Sequence, residues 1–500
     1  MKRSIQSLLL VAFISITGGL ASADKGLEES TNPILRDGAR VVDIRAYPER
    51  VVLDRPFSSV QLLLVAETAA GDSVDTTRSA TLIEPSPLVE ITPGGVVRPL
   101  ANGEGVLRFT IDGKAIEVPL SVSNQDEAFW PDYRQDVMPI LSRAGCNTGS
   151  CHGAADGQNG FSLSLRGYDP ISDHAALTDE FSARRFDRVS PGASLFLQKP
   201  SASVPHEGGQ VLKPGSPEYR VLLAWVAASA PLEGVAPELD HIEIVPSQVT
   251  IPLPGMEHQV RVVATFSDGS VRDVTTHAFV ETSDIEVTAV SGDGLVTALR
   301  RGEASVLARY EGRYAASRFV VMGDRSGFEW PADEVGSHPI DAIVNAKLRR
   351  VRVQPSGLCT DDEFLRRVRI DLTGTLPSVE EVQTFLLDSR PSSRKRLEII
   401  DRLIGSPEFV EYWTNKWCDL LLVTPEALGD EGAASFREWV RARVASNSPY
   451  DGFVRDLISS SGTTAESPAS AFHRILREPD AAMEATTQLF LGVRFNCNKC

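Results

Sequence analysis

The feature that most constrains the fold of this chain is an internal repeat. Pro48, Val51, Leu53, Pro56, Gly71 and Asp75 have counterparts in Pro246, Val249, Ile251, Pro254, Gly269 and Asp273, all at a constant offset of 198 residues. Gly103-Glu104 matches Gly302-Glu303 after one inserted residue. A spacing kept over this length means one module used twice, each copy closing its own core. In the first copy Val51-Val52-Leu53, Val60-Gln61-Leu62-Leu63-Leu64-Val65 and Val106-Leu107-Arg108-Phe109-Thr110 are short β-rich runs. Gly71-Asp72, Gly94-Gly95 and Asp112-Gly113 punctuate them as turns. Residues 39–122 and 240–322 are therefore expected to form two all-β sandwiches. Asp268-Gly269 and Asp293-Gly294 read as hairpin turns rather than calcium ligands.

Residues 127–232, between the copies, have a different pattern. A helix with Val137, Ile140 and Leu141 on one face leads in, and a closing helix near Pro217–Ala228 carries Tyr219, Leu222, Leu223 and Trp225. The segment between them is punctuated by Gly and Pro and contains Cys146-Asn147-Thr148-Gly149-Ser150-Cys151-His152. Two thiols in one loop, followed at once by an imidazole, are what covalent haem attachment requires. The thiols add to the porphyrin vinyl groups and the histidine reaches the iron. The common spacing has two residues between the cysteines; here there are four, and the longer loop can still close under the ring. The other readings are a Cys146–Cys151 disulfide or part of a zinc site. Zinc wants four ligands, and no second close Cys/His pair follows within the next hundred residues.

The sixth iron ligand would set the redox behaviour. No Met occurs between Met138 and Met256, and Met138 reads as a core residue of the lead-in helix. His206 lies in Val204-Pro205-His206-Glu207-Gly208-Gly209, where glycines let backbone approach a flat ring. His206 is the expected distal ligand; His174 and an open or water-bound position are the alternatives.

The N-terminus reads as an export signal over residues 1–23. Lys2 and Arg3 precede the apolar run Leu8–Ile16, and Ala21-Ser22-Ala23 is a small-residue cleavage site. Residues 24–38 read as a polar lead-in. A periplasmic or cell-surface location follows, and c-type attachment is made outside the cytoplasm. No other long apolar stretch occurs, so no membrane span is expected in the mature chain. The net charge of −17 argues against nucleic acid and anionic membrane surfaces as partners. Six cysteines in 500 residues exclude a disulfide-rich scaffold. Cys359 and Cys418 are either buried thiols or one disulfide.

Residues 338–500 read as all-α. Helices are expected over Asp341–Arg350, Asp361–Ile370, Arg396–Ile404, Pro407–Leu422, Ala434–Ala445 and Ala481–Leu491, with another starting at Pro377 and N-capped by Ser378. Trp413 and Trp417, four apart, suit a core. Arg366, Arg367 and Arg369 suit a solvated or ion-paired helix face better than an anion site. Cys497-Asn498-Lys499-Cys500 has the two-residue spacing of porphyrin thioethers but no histidine after it.

Three resemblances attach to these strings. The second β copy resembles bacterial Ig-like domains of group 2. The residues are Pro246, the hairpin from Phe266-Ser267-Asp268-Gly269 to Asp273-Val274-Thr275, and Gly294-Leu295-Val296-Thr297-Ala298 leading to Gly302-Glu303-Ala304. The stretch from Cys146 to Gly157, then Asn159-Gly160-Phe161 to Asp169, Arg184-Arg185 and Pro205-His206-Glu207-Gly208-Gly209, resembles the planctomycete-type cytochrome c domain. Phe364-Leu365-Arg366-Arg367-Val368-Arg369-Ile370-Asp371-Leu372-Thr373-Gly374-Thr375-Leu376-Pro377-Ser378, and Ser406–Trp413 through Trp417–Leu421, resemble the helical domain of unknown function that accompanies it.

The resemblance implies covalent haem c at Cys146, Cys151 and His152, and an exported setting; it names no reaction. Members of the helical family carry Cys-x-x-Cys-His where this chain has Cys497 and Cys500. The natural chain is therefore expected to continue with His and to bind a second haem there, the alternative being a terminal disulfide. The expected architecture is multidomain: two all-β Ig-like sandwiches flank a small α-helical cytochrome c-like domain, and an all-α domain follows. The expected function is electron transfer by an exported haem protein with an unidentified redox partner. The alternatives are a cell-surface structural or binding protein in which Cys146 and Cys151 are disulfide-bonded, and a haem-dependent or carbohydrate-active enzyme. No nucleophile elbow, His-Glu-x-x-His or phosphate loop supports the enzyme.

Overall fold

The structure, a computed structural model, describes residues 40–232, 237–325, 327–331 and 338–494. The expected signal peptide 1–23 and the pair Cys497 and Cys500 lie outside the described residues. The chain divides into two compact units, Met1–Pro355 and Ser356–Cys500.

Two β modules in the first unit repeat one topology. In each, a three-stranded antiparallel sheet (Val41–Tyr47, Leu63–Thr68, Ser73–Asp75; then Leu239–Val245, Arg261–Phe266, Val271–Asp273) is joined by a four-stranded one. The four-stranded sheet is built on the long hairpin Gly103–Ile111/Lys114–Val122 in the first copy and Gly302–Tyr310/Arg313–Val321 in the second. Val51–Leu53 and Gln248–Ile251 add to these hairpins in parallel. Both hairpins turn on two residues with positive φ, Asp112-Gly113 (49° and 75°) and Glu311-Gly312 (44° and 75°). That backbone matches the twist of the strands it joins. Alternation decides which faces are buried: Val118, Leu120 and Val122 point into the first core, and their neighbours Glu117, Pro119 and Ser121 do not.

The repeat extends to side-chain bonds. Leu64 N–H donates to Thr77 Oγ1 at 2.9 Å, and Val262 N–H to Thr275 Oγ1 at 2.8 Å. The modules pack on each other, since Val74 of the first is buried within the core of the second.

The segment between the modules is helical and has a core of its own. A turn of π-helix at Tyr133–Val137 runs into the helix Met138–Arg143, and the closing helix spans Pro217–Ala227. Asp132 caps the first by accepting from Gln135 N–H at 2.9 Å; Ser216 caps the last, with Pro217 in its first turn. These two ends meet through Tyr133 and Trp225, both fully buried, with ring centroids 5.4 Å apart. Gln135 ties the segment to the second module: its side chain reaches the Pro237 carbonyl, and Tyr310 Oη donates to its backbone carbonyl at 3.1 Å.

Helices fill the second unit, around two cores. Leu365, Val368, Phe385, Ile399 and Leu403 form one, from Asp361–Thr373, Val379–Leu387 and Ser392–Leu403. Cys418, Phe436, Val440, Phe453, Leu457 and Phe472 lie in the other, from Pro407–Leu420, Asp430–Ala445, Tyr450–Ile458 and Ala471–Ile475. Ser378 is the expected N-cap, accepting from Glu381 N–H at 3.1 Å. Trp417 packs on Phe453 at 5.0 Å, as the four-residue spacing suggests. Arg367 and Arg369 pair with Glu363 and Glu381. Asp361 accepts from Ser392 and meets Arg396 and the buried Lys395 at 2.7 Å each, which holds its carboxyl down at about 2.

The helix Pro339–Arg350 clusters with the first unit and buries none of its residues. Lys347 pairs with Glu303 at 2.7 Å, and beyond the helix Arg352 pairs with Asp72 at 2.6 Å. Among the described residues, no helix is long and apolar enough to cross a membrane.

Candidate haem site

The loop Cys146–Gly153 is a series of backbone turns hung from the end of the helix Met138–Arg143. Cys146 N–H donates to Leu141 O at 2.9 Å, His152 N–H to Cys146 O at 3.0 Å, and Gly153 N–H to Thr148 O at 2.9 Å. The bond from His152 back to Cys146 closes the ring that carries both thiols and the imidazole. Gly153 is required by space: a Cβ there would lie 2.2 Å from the Asn147 carbonyl oxygen. Asn147 is itself buried, with Nδ2 donating to Ser142 Oγ at 2.8 Å.

Cys146 and Cys151 are both free thiols and half-buried. Burial, then the neighbouring Cys151, push the Cys146 thiol up to about 11. Cys359 and Cys418 are also free thiols. Among the described residues, no group of three or more His, Cys, Asp or Glu side chains is placed to hold a bare metal ion.

The two candidate iron ligands share one geometry. His152 Nδ1 lies 3.0 Å from the Phe161 carbonyl oxygen, and His206 Nδ1 lies 2.9 Å from that of Gly209. A carbonyl oxygen only accepts, so Nδ1 carries the proton in each neutral ring and the lone pair falls on Nε2. A backbone carbonyl on Nδ1 is the usual way a ligating histidine is oriented and its tautomer set. Burial holds the His152 imidazole below its ordinary value against the pull of the Phe161 carbonyl; the charges of His206 and Arg185 push it the same way as burial. The neutral, ligating form is thereby favoured. Gly208 lies tight against His206, where a Cβ would come within 2.9 Å of its Cε1.

The remaining sequence candidates are otherwise engaged. His174 Nε2 donates to Ala230 O at 2.8 Å, its Nδ1 faces Thr178 Oγ1 at 3.4 Å, and its ring packs edge-on to Tyr133 and Trp225. Met138 is buried beneath Gly167, where a Cβ would lie 2.9 Å from its sulfur.

Three residues in a chain of contacts that starts at His152 were given no individual role in the sequence reading. The Phe161 ring is 4.4 Å from the His152 ring, Arg185 lies over Phe161 at 4.2 Å, and Phe181, 63% exposed, lies on Arg185 at 5.4 Å. Phe161 and Arg185 stand in the strings that carry the cytochrome c resemblance, but their contact with each other and with His152 is set by packing, which the attachment loop does not encode.

The donor set of two free thiols in one loop with His152, and a second imidazole, His206, held in the same tautomer, fits a covalently held haem. An exposed aromatic face at Phe181 suits an apolar ring. The polar cleft of about 160 Å³ in the same unit is elsewhere, among Arg55, Asp136, Arg261, Arg272 and Asp273. Its charges pair with one another, Arg55 with Asp136 and Arg261 with Asp273, as in a joint between modules.

No characterised protein sequence matches the chain. Among solved structures, domains 5–6 of the S-layer protein SbsC match 57% of this chain and 99% of that one, at 8% identity and a TM-score of 0.23. Domains 1–6 of the same surface layer protein match 57% of this chain at 8% identity and a TM-score of 0.15, and this chain spans 29% of that structure's length. Residues 339–500 match the family described as PSCyt2, a protein of unknown function (DUF1549).

Proposed function

We propose that this chain is an exported c-type haem protein in which residues 127–232 hold one haem. Cys146 and Cys151 would form the thioethers, and His152 and His206 would ligate the iron. The observation that carries this reading is the matched pair of imidazoles, each with Nδ1 on a backbone carbonyl, with two free thiols in the loop that carries His152. When bound, the haem supplies one-electron redox chemistry. The chain's own part is to fix both imidazoles in the ligating tautomer and to hold the thiols in one closed loop. The Ig-like modules act as spacers or attachments.

The test is mass spectrometry and visible spectroscopy of protein matured in a periplasm with haem-attachment machinery. One haem mass and a Soret band that survives denaturation are expected. Purely apo protein with a Cys146–Cys151 disulfide sinks the reading. The second reading, a cell-surface structural protein, is favoured by the two interlocked β modules, and that disulfide is the result that would support it.

A further inference from the structure

Phe161 serves His152 twice. Its carbonyl accepts from Nδ1 at 3.0 Å, and its ring lies 4.4 Å from the imidazole. The other support of that ring is Arg185, with its guanidinium carbon 4.2 Å from the ring centre. Arg185 is anchored in turn: Nη1 donates to Ala176 O at 2.8 Å. Glu180, the one carboxylate paired with it among the described residues, is 3.9 Å away and half exposed, so the positive charge is only weakly neutralised. A guanidinium held on an aromatic face and partly desolvated keeps more of its field than one in water.

We propose that Arg185 is a positioning residue of the haem site, clamping Phe161 so that Phe161 orients His152, and that its charge raises the reduction potential of the iron. The inference rests on the haem reading above. Its physical basis is simple. The reduced iron carries one positive charge fewer than the oxidised iron, so a nearby cation favours the reduced state. Burial and local charge are among the levers by which a protein sets a haem potential. Glu180, as the partial counter-charge, works the opposite way.

The experiment uses the full chain matured with haem: wild type, Arg185→Gln, Arg185→Lys and Glu180→Gln. Covalent haem is read by mass, and the potential by spectroelectrochemical titration. Arg185→Gln is expected to keep its haem and to show a lower potential, seen as an oxidised-to-reduced ratio about fivefold higher at a fixed applied potential. Arg185→Lys, which keeps the charge, is expected to restore most of the shift. Glu180→Gln is expected to move the potential upward, and it decides the matter if Arg185→Gln fails to fold. An unchanged potential in Arg185→Gln, or in Glu180→Gln where that variant decides, overturns the inference, as does an Arg185→Lys potential as low as that of Arg185→Gln. Wild type without covalent haem is a different failure, that of the haem reading itself.

Discussion

Asp75 of the first β module accepts a hydrogen bond from the backbone N–H of Gln259 in the second, at 2.6 Å. The relationship is reciprocal: Asp273, the counterpart of Asp75, accepts from the backbone N–H of Gln61, the counterpart of Gln259, at 3.0 Å. The two modules thus meet as an internal pseudo-dimer, each offering the same carboxylate to the same strand of the other. Such self-complementary contact is what a two-fold interface requires. Each aspartate also organises its own turn, with Oδ1 accepting from Thr77 N–H or Thr275 N–H.

Asp75→Ala is expected to destabilise the first unit by about 2–3 kcal/mol, because a buried carboxylate that accepts several bonds is lost and its donors are left unpaired. Asp273→Ala should cost a similar amount and also leave Arg261 without its partner. Urea denaturation of the full chain checks both; a change below about 0.5 kcal/mol in each would remove the reciprocal contact from the account of stability.

Glu311 links stability to pH. Burial, with Asp132 and Asp136 nearby, outweighs the Tyr310 hydroxyl and Arg272 and pushes its carboxyl up to about 7 from an ordinary 4.5. Between these values the folded state holds a proton that the unfolded state releases. The contribution of Glu311 to stability is therefore largest below about pH 4.5 and falls as pH rises to about 7, by up to about 3 kcal/mol. The unfolding free energy of Glu311→Gln should lack that decline. Parallel pH profiles for wild type and variant would show that Glu311 is not the source.

His206→Ala should retain covalent haem while losing the six-coordinate, low-spin spectrum of a bis-histidine iron. Electronic absorption of the oxidised protein reads the change. An unaltered spectrum and potential would exclude His206 as the distal ligand.

The attachment loop predicts a contrast between two glycines. Gly153→Ala drives a Cβ into the Asn147 carbonyl at 2.2 Å, whereas a Cβ at Gly149 meets only Leu165 at 3.9 Å. Gly153→Ala is expected to cost about 2–3 kcal/mol locally and to reduce haem incorporation, with Gly149→Ala near wild type. Equal incorporation in the two variants, measured by mass, would show that loop closure does not depend on Gly153.

In the second unit, Gly374 ends the helix Asp361–Thr373 in the left-handed region at φ 66°, with Tyr412 against it. A Cβ there would lie 2.3 Å from Tyr412 Cδ2, while Gly405, at φ 77°, has open space around it. Gly374→Ala should cost roughly 2–4 kcal/mol and Gly405→Ala about 1 kcal/mol, the first paying for both strain and overlap. Denaturation curves of equal midpoint would contradict the steric account.

What the sequence determined is what is written within short spans or repeated at a fixed offset. The 198-residue offset carried the two β modules because alternation, turn glycines and paired positions are local signals copied twice. The cap at Ser378 and the core places of Trp417 and Met138 follow from local sequence signals. Cys146, Cys151 and His152 are adjacent in chain and need only a closed loop to meet.

What only the tertiary structure decided is which distant groups face each other. The glycines after His206 favoured it over His174 in sequence, but only packing shows His174 bonded to Ala230 and His206 held through Nδ1 by Gly209. Arg185 reaches His152 through Phe161, and Asp75 meets Gln259 from 184 residues away. Such contacts depend on how the cores close, because a hydrogen bond or a cation over a ring is fixed to within an ångström by packing that no local periodicity encodes.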